Sequence, residues 1–202
     1  MLVAATSLAP ANADVIYNWH TLTAAVDGVP VSGGAVGQII LTDAGFASGS
    51  VSVTTNPLDS SDQTLNGVVS AKFGAFGGPI LTTGTGSFVN FTAVVDGQFL
   101  DVTPINSALG GAGFFVGPLG TEAYFGENGP GPHVLTIGFG TDDVGSVCSG
   151  PQQPGQSHCV LTGFFQQAVP EPGSLAVLAT AFGAFGGLRF ARRRDKSSAR
   201  AV

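Results

Sequence analysis

Between Asp14 and Ala168 the chain is punctuated rather than continuous. Short runs rich in Val, Ile, Phe and Thr alternate with turn-forming pairs, and no window of twelve or more residues carries helical periodicity. The run VIYNWHTL shows the grammar. Val15, Tyr17 and Trp19 fall on one face of an extended segment, and Ile16, Asn18 and His20 on the other. VGQIIL, GSVSVTT, GVVSAKF, SFVNFTAVV, QFLDVT, HVLTIGFG and VLTGFF repeat the pattern. Asp96-Gly97 parts FTAVV from QFLDV and predicts a two-residue hairpin, because both turn positions need positive φ. Asn66-Gly67 and Asp27-Gly28 predict further tight turns. About ten short strands joined this way predict an all-β body, an antiparallel β-sandwich or jelly roll. No internal repeat is present, which disfavours a propeller or solenoid. The least regular stretch, SALGGAGFFVGPLGTEAYFGENGPGPH, predicts loops with one or two short strands, and long loops on a rigid scaffold are where binding usually resides.

Charge narrows the partners. The body holds eleven of the thirteen acids but only one of the seven bases, Lys72. Such a surface cannot neutralise a phosphate backbone, so nucleic-acid binding is excluded, and polyphosphate or anionic-lipid sites are disfavoured. A hydrophobic fraction of 44% is enough to fill a core and argues against whole-chain disorder.

Candidate chemistry is sparse. His20, His133 and His158 show no H-E-x-x-H or paired spacing, and His20 and His133 read as strand residues. No G-x-S-x-G elbow occurs. Gly110-Gly111-Ala112-Gly113 lacks a following Lys and helix and reads as a turn, not a phosphate cradle. Glu122 and Glu127, the only glutamates of the body, are the one pair to weigh for glycosidase chemistry, which requires two carboxylates about 5–10 Å apart. Asp142 and Asp143 follow a strand and are weak Ca²⁺ candidates, set against a solvated turn. No other cofactor or metal is implied. An aromatic platform for sugars would have to come from Tyr17, Trp19 and Tyr124, although early-strand aromatics usually belong to the core.

Cys148 and Cys159 enclose ten residues in CSGPQQPGQSHC. In an exported chain the pair is expected to be bonded, which in the chain-entropy model stabilises by about 3 kcal/mol. His158 beside Cys159 does not complete a zinc set.

The two ends are addresses. MLVAATSLAPANA ends on Ala11-Asn12-Ala13, the small-x-small pattern of a signal-peptidase site. Residues 1–13 therefore read as the remnant of a secretory signal whose true start lies upstream of Met1. At the other end, Leu175–Leu188 contains no charge but as a helix spans only about 21 Å, short of a hydrocarbon core of about 30 Å. Extension to Phe190 with Arg189 snorkelling lengthens it, and Arg192, Arg193 and Arg194 would act as a stop-transfer cluster on the cytoplasmic side.

The order Val169-Pro170-Glu171-Pro172-Gly173-Ser174-Leu175, apolar span, Arg-Arg-Arg resembles the PEP-CTERM sorting signal, over about the last thirty-four residues. The resemblance implies recognition of Pro170, Glu171 and Pro172 by an exosortase-type sorting enzyme. It also implies a precursor in the inner membrane of a Gram-negative bacterium and delivery of the body to the cell surface or the extracellular polysaccharide matrix.

The domain reading is thus 1–13 signal remnant, 14–168 β-sandwich body and 169–202 sorting signal with a single short transmembrane helix. The function expected is a non-enzymatic structural or adhesive role in the surface layer or biofilm. The alternatives are a carbohydrate-binding module or, further off, a glycan-active hydrolase.

Overall fold

The computed structural model describes residues 14–32, 34–105, 113–117, 123–140 and 159–168. The chain divides into two units, Met1–Ala168 and Val169–Val202, and every described residue belongs to the first. In chain order the elements are β1 (Val15–Val26), β2 (Val29–Pro30), β3 (Ala35–Leu41), α1 (Asp43–Ser48), β4 (Ser50–Asn56) and β5 (Asp59–Asn66). Next come β6 (Val68–Ala75), β7 (Leu81–Thr82), β8 (Phe88–Val89), β9 (Phe91–Asp96) and β10 (Phe99–Pro104). The last are β11 (Gly113–Val116), β12 (Ala123–Asn128), β13 (Leu135–Gly140) and β14 (Cys159–Gln167).

All strands belong to one antiparallel sheet that curls into a half-barrel. The expectation of an antiparallel all-β body stands. The partition into two separate sheets does not, because the sheet is continuous and forked. Its main path runs β5-β4-β9-β10-β14-β1-β3-β6-β7. Along one edge β14 pairs with β1 from Tyr17↔Gln167 to Val26↔Cys159. Its other edge is shared. Gln166 and Phe165 pair with Phe99 and Leu100 of β10, while Gly163 to Cys159 pair with Leu135 to Phe139 of β13. From β13 the second arm continues through β12 and β11 to β8.

Strand alternation builds the core between these arms. Tyr17, Ile39, Val53, Phe73, Phe91, Phe114, Phe115, Ile137 and Tyr124 are fully buried. Phe73 is central: it meets Trp19 at 5.4 Å, Tyr124 at 5.2 Å and Phe114 at 5.7 Å, each edge to face. Each such pair adds about 0.5–1.5 kcal/mol beyond area burial. The single tryptophan fits because glycines stand beside it on both neighbouring strands. A Cβ on Gly37 would lie 2.7 Å from Trp19 Cβ, and one on Gly163 would strike the indole ring and the His20 carbonyl.

Turn chemistry explains the connections, with two corrections. Asp27 (φ 50°) and Gly28 (φ 76°) form the tight turn expected between Val26 and Val29. At the β9–β10 hairpin the turn residues are instead Gly97 and Gln98; Asp96 remains on the strand, paired with Phe99. One positive-φ residue, Gly97 at 58°, takes the first turn position, so the aspartate is not needed there. Asn66-Gly67 makes no hairpin, since β5 pairs with β4 and β6 pairs with β3; Gly67 (φ 73°) sends the chain from one region of the sheet to the other.

Two elements have no apolar signature. The helix α1 is held by its ends: Thr42 Oγ1 accepts from Gly45 N at 2.9 Å, and Gly49 closes it at φ 74°. The strand β5, DSSDQTLN, is a polar edge with both faces largely exposed. There Asp59 accepts from Ser61 Oγ and Ser61 N, which holds its carboxyl below the usual aspartate value.

Among the described residues no helix is long and apolar enough to cross a membrane. The expected helix over Leu175–Phe190, the Pro170–Pro172 motif, Arg192, Arg193, Arg194 and the leader all lie outside the described residues.

Candidate functional site

The β9–β10 hairpin sets the site. Because Asp96 stays paired with Phe99, its carboxylate projects beside that ring, and period-two geometry puts Asp101 on the same face as Phe99. The fourth group arrives from the β12–β13 connection. Gly129 N donates to Val134 O at 2.7 Å and Val134 N to Gly131 O at 3.2 Å, closing a tight loop around GPGPH. Within it His133 takes φ 62°, a left-handed backbone that lays its ring on Phe99 with centroids 4.4 Å apart and planes 8° from parallel. His133 is therefore a turn residue and not the strand residue that its neighbours in HVLTIGFG suggested; β13 begins at Leu135.

The imidazole is held at one nitrogen and faces a carboxylate with the other. Nδ1 lies 2.7 Å from Asp101 Oδ1, and Nε2 lies 4.0 Å from Asp96 Oδ2. A carboxylate only accepts, so the proton of the short bond sits on Nδ1. One ligand atom from each of Asp96, Asp101 and His133 falls within 4.8 Å of the others, the one grouping among the described residues able to hold a metal ion. Behind it opens a cleft of about 230 Å³, lined by Asp101, Thr103, Asn128, His133, Leu135 and Phe165 among others.

The Phe99–His133 stack is one end of an aromatic line on the outer face of the sheet. Phe99 meets Phe164 at 5.6 Å, edge to face, and Phe164 stacks on His20 at 5.4 Å and 19°. The line crosses β10, β14 and β1, following the register His20↔Phe164. His20 is exposed, and Phe99, Phe164 and His133 are half-exposed. Polar groups flank them: Gln38 Nε2 donates to Asn18 Oδ1 at 3.1 Å, and the Thr23 and Thr162 hydroxyls share a 2.7 Å bond.

The aromatics named from sequence as a sugar platform are not on this face. Tyr17, Trp19 and Tyr124 are buried, with Trp19 7% exposed and both tyrosines 0%. They fill the core because they occupy the inward positions of β1 and β12. Tyr124 also spends its hydroxyl internally, accepting from Ala75 N at 3.0 Å. The outward partners were readable from the same alternation: in VLTGFF, Phe165 is core and Phe164 therefore faces out. His133 was not readable, since its placement depends on a left-handed turn after two Gly-Pro pairs.

Of the candidate glycosidase pair, Glu127 is exposed on β12 and Glu122 lies outside the described residues, as do Asp142, Asp143 and His158. Cys159 is fully buried at the start of β14 and no described cysteine is free; Cys148 lies outside the described residues. No protein-family model, curated protein or solved structure matches the chain.

Proposed function

We propose that this chain is an exported, non-enzymatic protein of the cell surface or extracellular matrix of a Gram-negative bacterium. Its tail would be recognised by an exosortase-type sorting enzyme at Pro170, Glu171 and Pro172. The observation that carries this reading is the tail's order: a proline-bracketed glutamate, an uncharged span over Leu175–Leu188, then Arg192 to Arg194. Pro170 and Pro172 fix φ and remove two amide donors, so the motif cannot join a sheet or helix interior and stays open to a processing enzyme. In this reading the span is the membrane helix of the precursor, held with the arginines inside. The body is sandwich-like, its two arms facing each other across the Phe73-centred core.

The test is a C-terminal peptide map of the protein recovered from the surface of a host carrying the sorting enzyme. Peptides reaching Ala168 are expected, and none from Leu175–Phe190. Glu171→Ala leaves an uncleaved, membrane-retained precursor. Recovery of the apolar span from the surface protein would make it a permanent anchor and sink the reading.

A second reading, a carbohydrate-binding role on extracellular polysaccharide, is favoured by the line His20–Phe164–Phe99–His133. Ring faces flanked by amides, hydroxyls and carboxylates suit a sugar's apolar face and its hydroxyl rim. Retention on the host's own polysaccharide should fall for Phe164→Ala and persist for Leu58→Ala, an exposed residue away from the line; equal retention of both variants defeats it.

A further inference from the structure

We propose that Asp96, Asp101 and His133 form a binding site for a divalent first-row transition-metal ion of the zinc class. His133 and Asp96 are its direct ligands, and Asp101 is a positioning residue. The inference is independent of the tail and of any sugar on the aromatic line.

The orientation of the ring carries it. Asp101 Oδ1 stands 2.7 Å from Nδ1 and accepts the hydrogen bond from Nδ1–H, so that in the neutral ring the lone pair is on Nε2. A carboxylate behind one imidazole nitrogen, with the other nitrogen free to ligate, is the usual outer-shell arrangement of metal-bound histidine. The free nitrogen points at a second carboxylate, Asp96 Oδ2, across 4.0 Å. That gap is too long for a hydrogen bond. It exceeds by about half an ångström the separation of two ligands bonded at about 2.0–2.2 Å to one tetrahedral ion, a gap that a small side-chain movement closes. A cation between them would be met by the ring nitrogen on one side and the carboxylate on the other.

The ring is also held before any ion arrives. Phe99 covers one face at 4.4 Å, and the turn fixes the backbone at φ 62°. A left-handed backbone at a non-glycine residue is unfavourable. Here it places Nε2 toward the hairpin carboxylates instead of into solvent. Asp96 is the more exposed partner, its side chain 66% exposed, against 25% for His133. It has room to close the last fraction of an ångström while the remaining coordination positions take water.

The surrounding charge favours a cation. Lys72, on β6, is the single base of the body. An imidazole nitrogen in the ligand set selects zinc, nickel or copper over calcium and magnesium, which prefer oxygen-only shells. The site is thus distinct in chemistry from the calcium candidates Asp142 and Asp143.

The experiment uses the full-length chain, stripped of metal and dialysed against zinc, with bound zinc counted per chain and circular dichroism recorded for every variant. The expected result is saturable binding that Asp96→Asn and His133→Gln both remove, while His20→Gln leaves it intact. Asp101→Ala should weaken it by about 10–100-fold, the usual cost of losing an outer-shell partner. Asp101→Asn should restore most of the affinity, because an amide oxygen still accepts from Nδ1–H; a merely structural role for Asp101 would not show that rescue. Should His133→Gln fail to fold, Asp96→Asn on an exposed side chain decides alone. Zinc retained by Asp96→Asn, no saturable zinc on the wild-type chain, or displacement of zinc by an equal concentration of calcium would each overturn the proposal.

Discussion

The hydroxyl of Thr55 on β4 does the work of a strand pairing with Val89 on β8: Oγ1 donates to the Val89 carbonyl at 3.0 Å and accepts from the Val89 amide at 2.9 Å. Asn90 completes the junction by accepting from Thr55 N at 2.9 Å through its side-chain oxygen. The strands β4 and β8 lie at the far reaches of the two arms that separate at β14. Two buried side chains, Thr55 and Asn90, therefore join the arms again at this point.

Removing that hydroxyl strands two buried backbone groups. Thr55→Val keeps the volume but leaves the amide and carbonyl of Val89 without partners, at about 1–3 kcal/mol each when buried. A loss of about 2–4 kcal/mol is expected in urea unfolding. Thr55→Ser keeps Oγ and should lose less than half as much. Equal losses for the two variants would mean that the methyl group, not the hydroxyl, matters.

Gly163 is a packing position. On the neighbouring strand the ring of Trp19 and the His20 carbonyl occupy the space that any Cβ would need. Gly163→Ala should destabilise by about 3 kcal/mol, the upper range for forced overpacking. Combining it with Trp19→Phe should cost less than the sum of the single changes, because the smaller ring vacates its part of the collision and leaves only that with the His20 carbonyl. Additive losses in a double-mutant cycle would place the strain elsewhere.

The inward faces were legible because burial obeys a period of two. Tyr17, Trp19, Ile39, Leu41, Val51 and Val53 alternate in the sequence and lie in the core. What alternation could not convey was pairing. Nothing in QFLDVT or HVLTIGFG indicates that β10 and β13 share one edge of β14, since register follows from tertiary packing. The strand β5 escaped notice because an edge strand has no apolar face to bury, and DSSDQTLN reads as loop. The candidate site was half legible: Phe164 and Phe99 follow from their strands. Asp96 and His133 depend instead on a turn displaced by one residue and on a left-handed histidine, both decided by local backbone geometry.

Cys159 is 0% exposed and lies in register with Val26 on one side and Phe139 on the other. If it is bonded to Cys148, a non-reducing digest yields one linked peptide and neither thiol alkylates under native conditions. Reduction should then lower stability by about 3 kcal/mol, and Cys148→Ser should reproduce that loss without further response to reductant. Alkylation of both thiols in the native protein would dismiss the bond.

Tyr17 presents the opposite of Thr55: a buried hydroxyl on a residue 0% exposed, with no hydrogen-bond partner among the described residues. An unmet buried hydroxyl is costly, so Tyr17→Phe should raise stability, by about 1 kcal/mol. Burial also pushes the phenol above its ordinary value of 10.0, since the charged form would be stranded in the core. The consequence for pH has a definite sign. Below the unfolded-state value both states keep the proton and nothing changes. Above it the unfolded chain releases the proton while the folded chain retains it, so stability falls as pH rises, by at most about 1.4 kcal/mol per unit. The advantage of Tyr17→Phe over wild type should therefore be constant up to a pH of about 10 and widen beyond it. Urea midpoints measured from pH 7 to 11 test both parts, and a gap that narrows at the alkaline end would show that the hydroxyl finds a partner as it ionises.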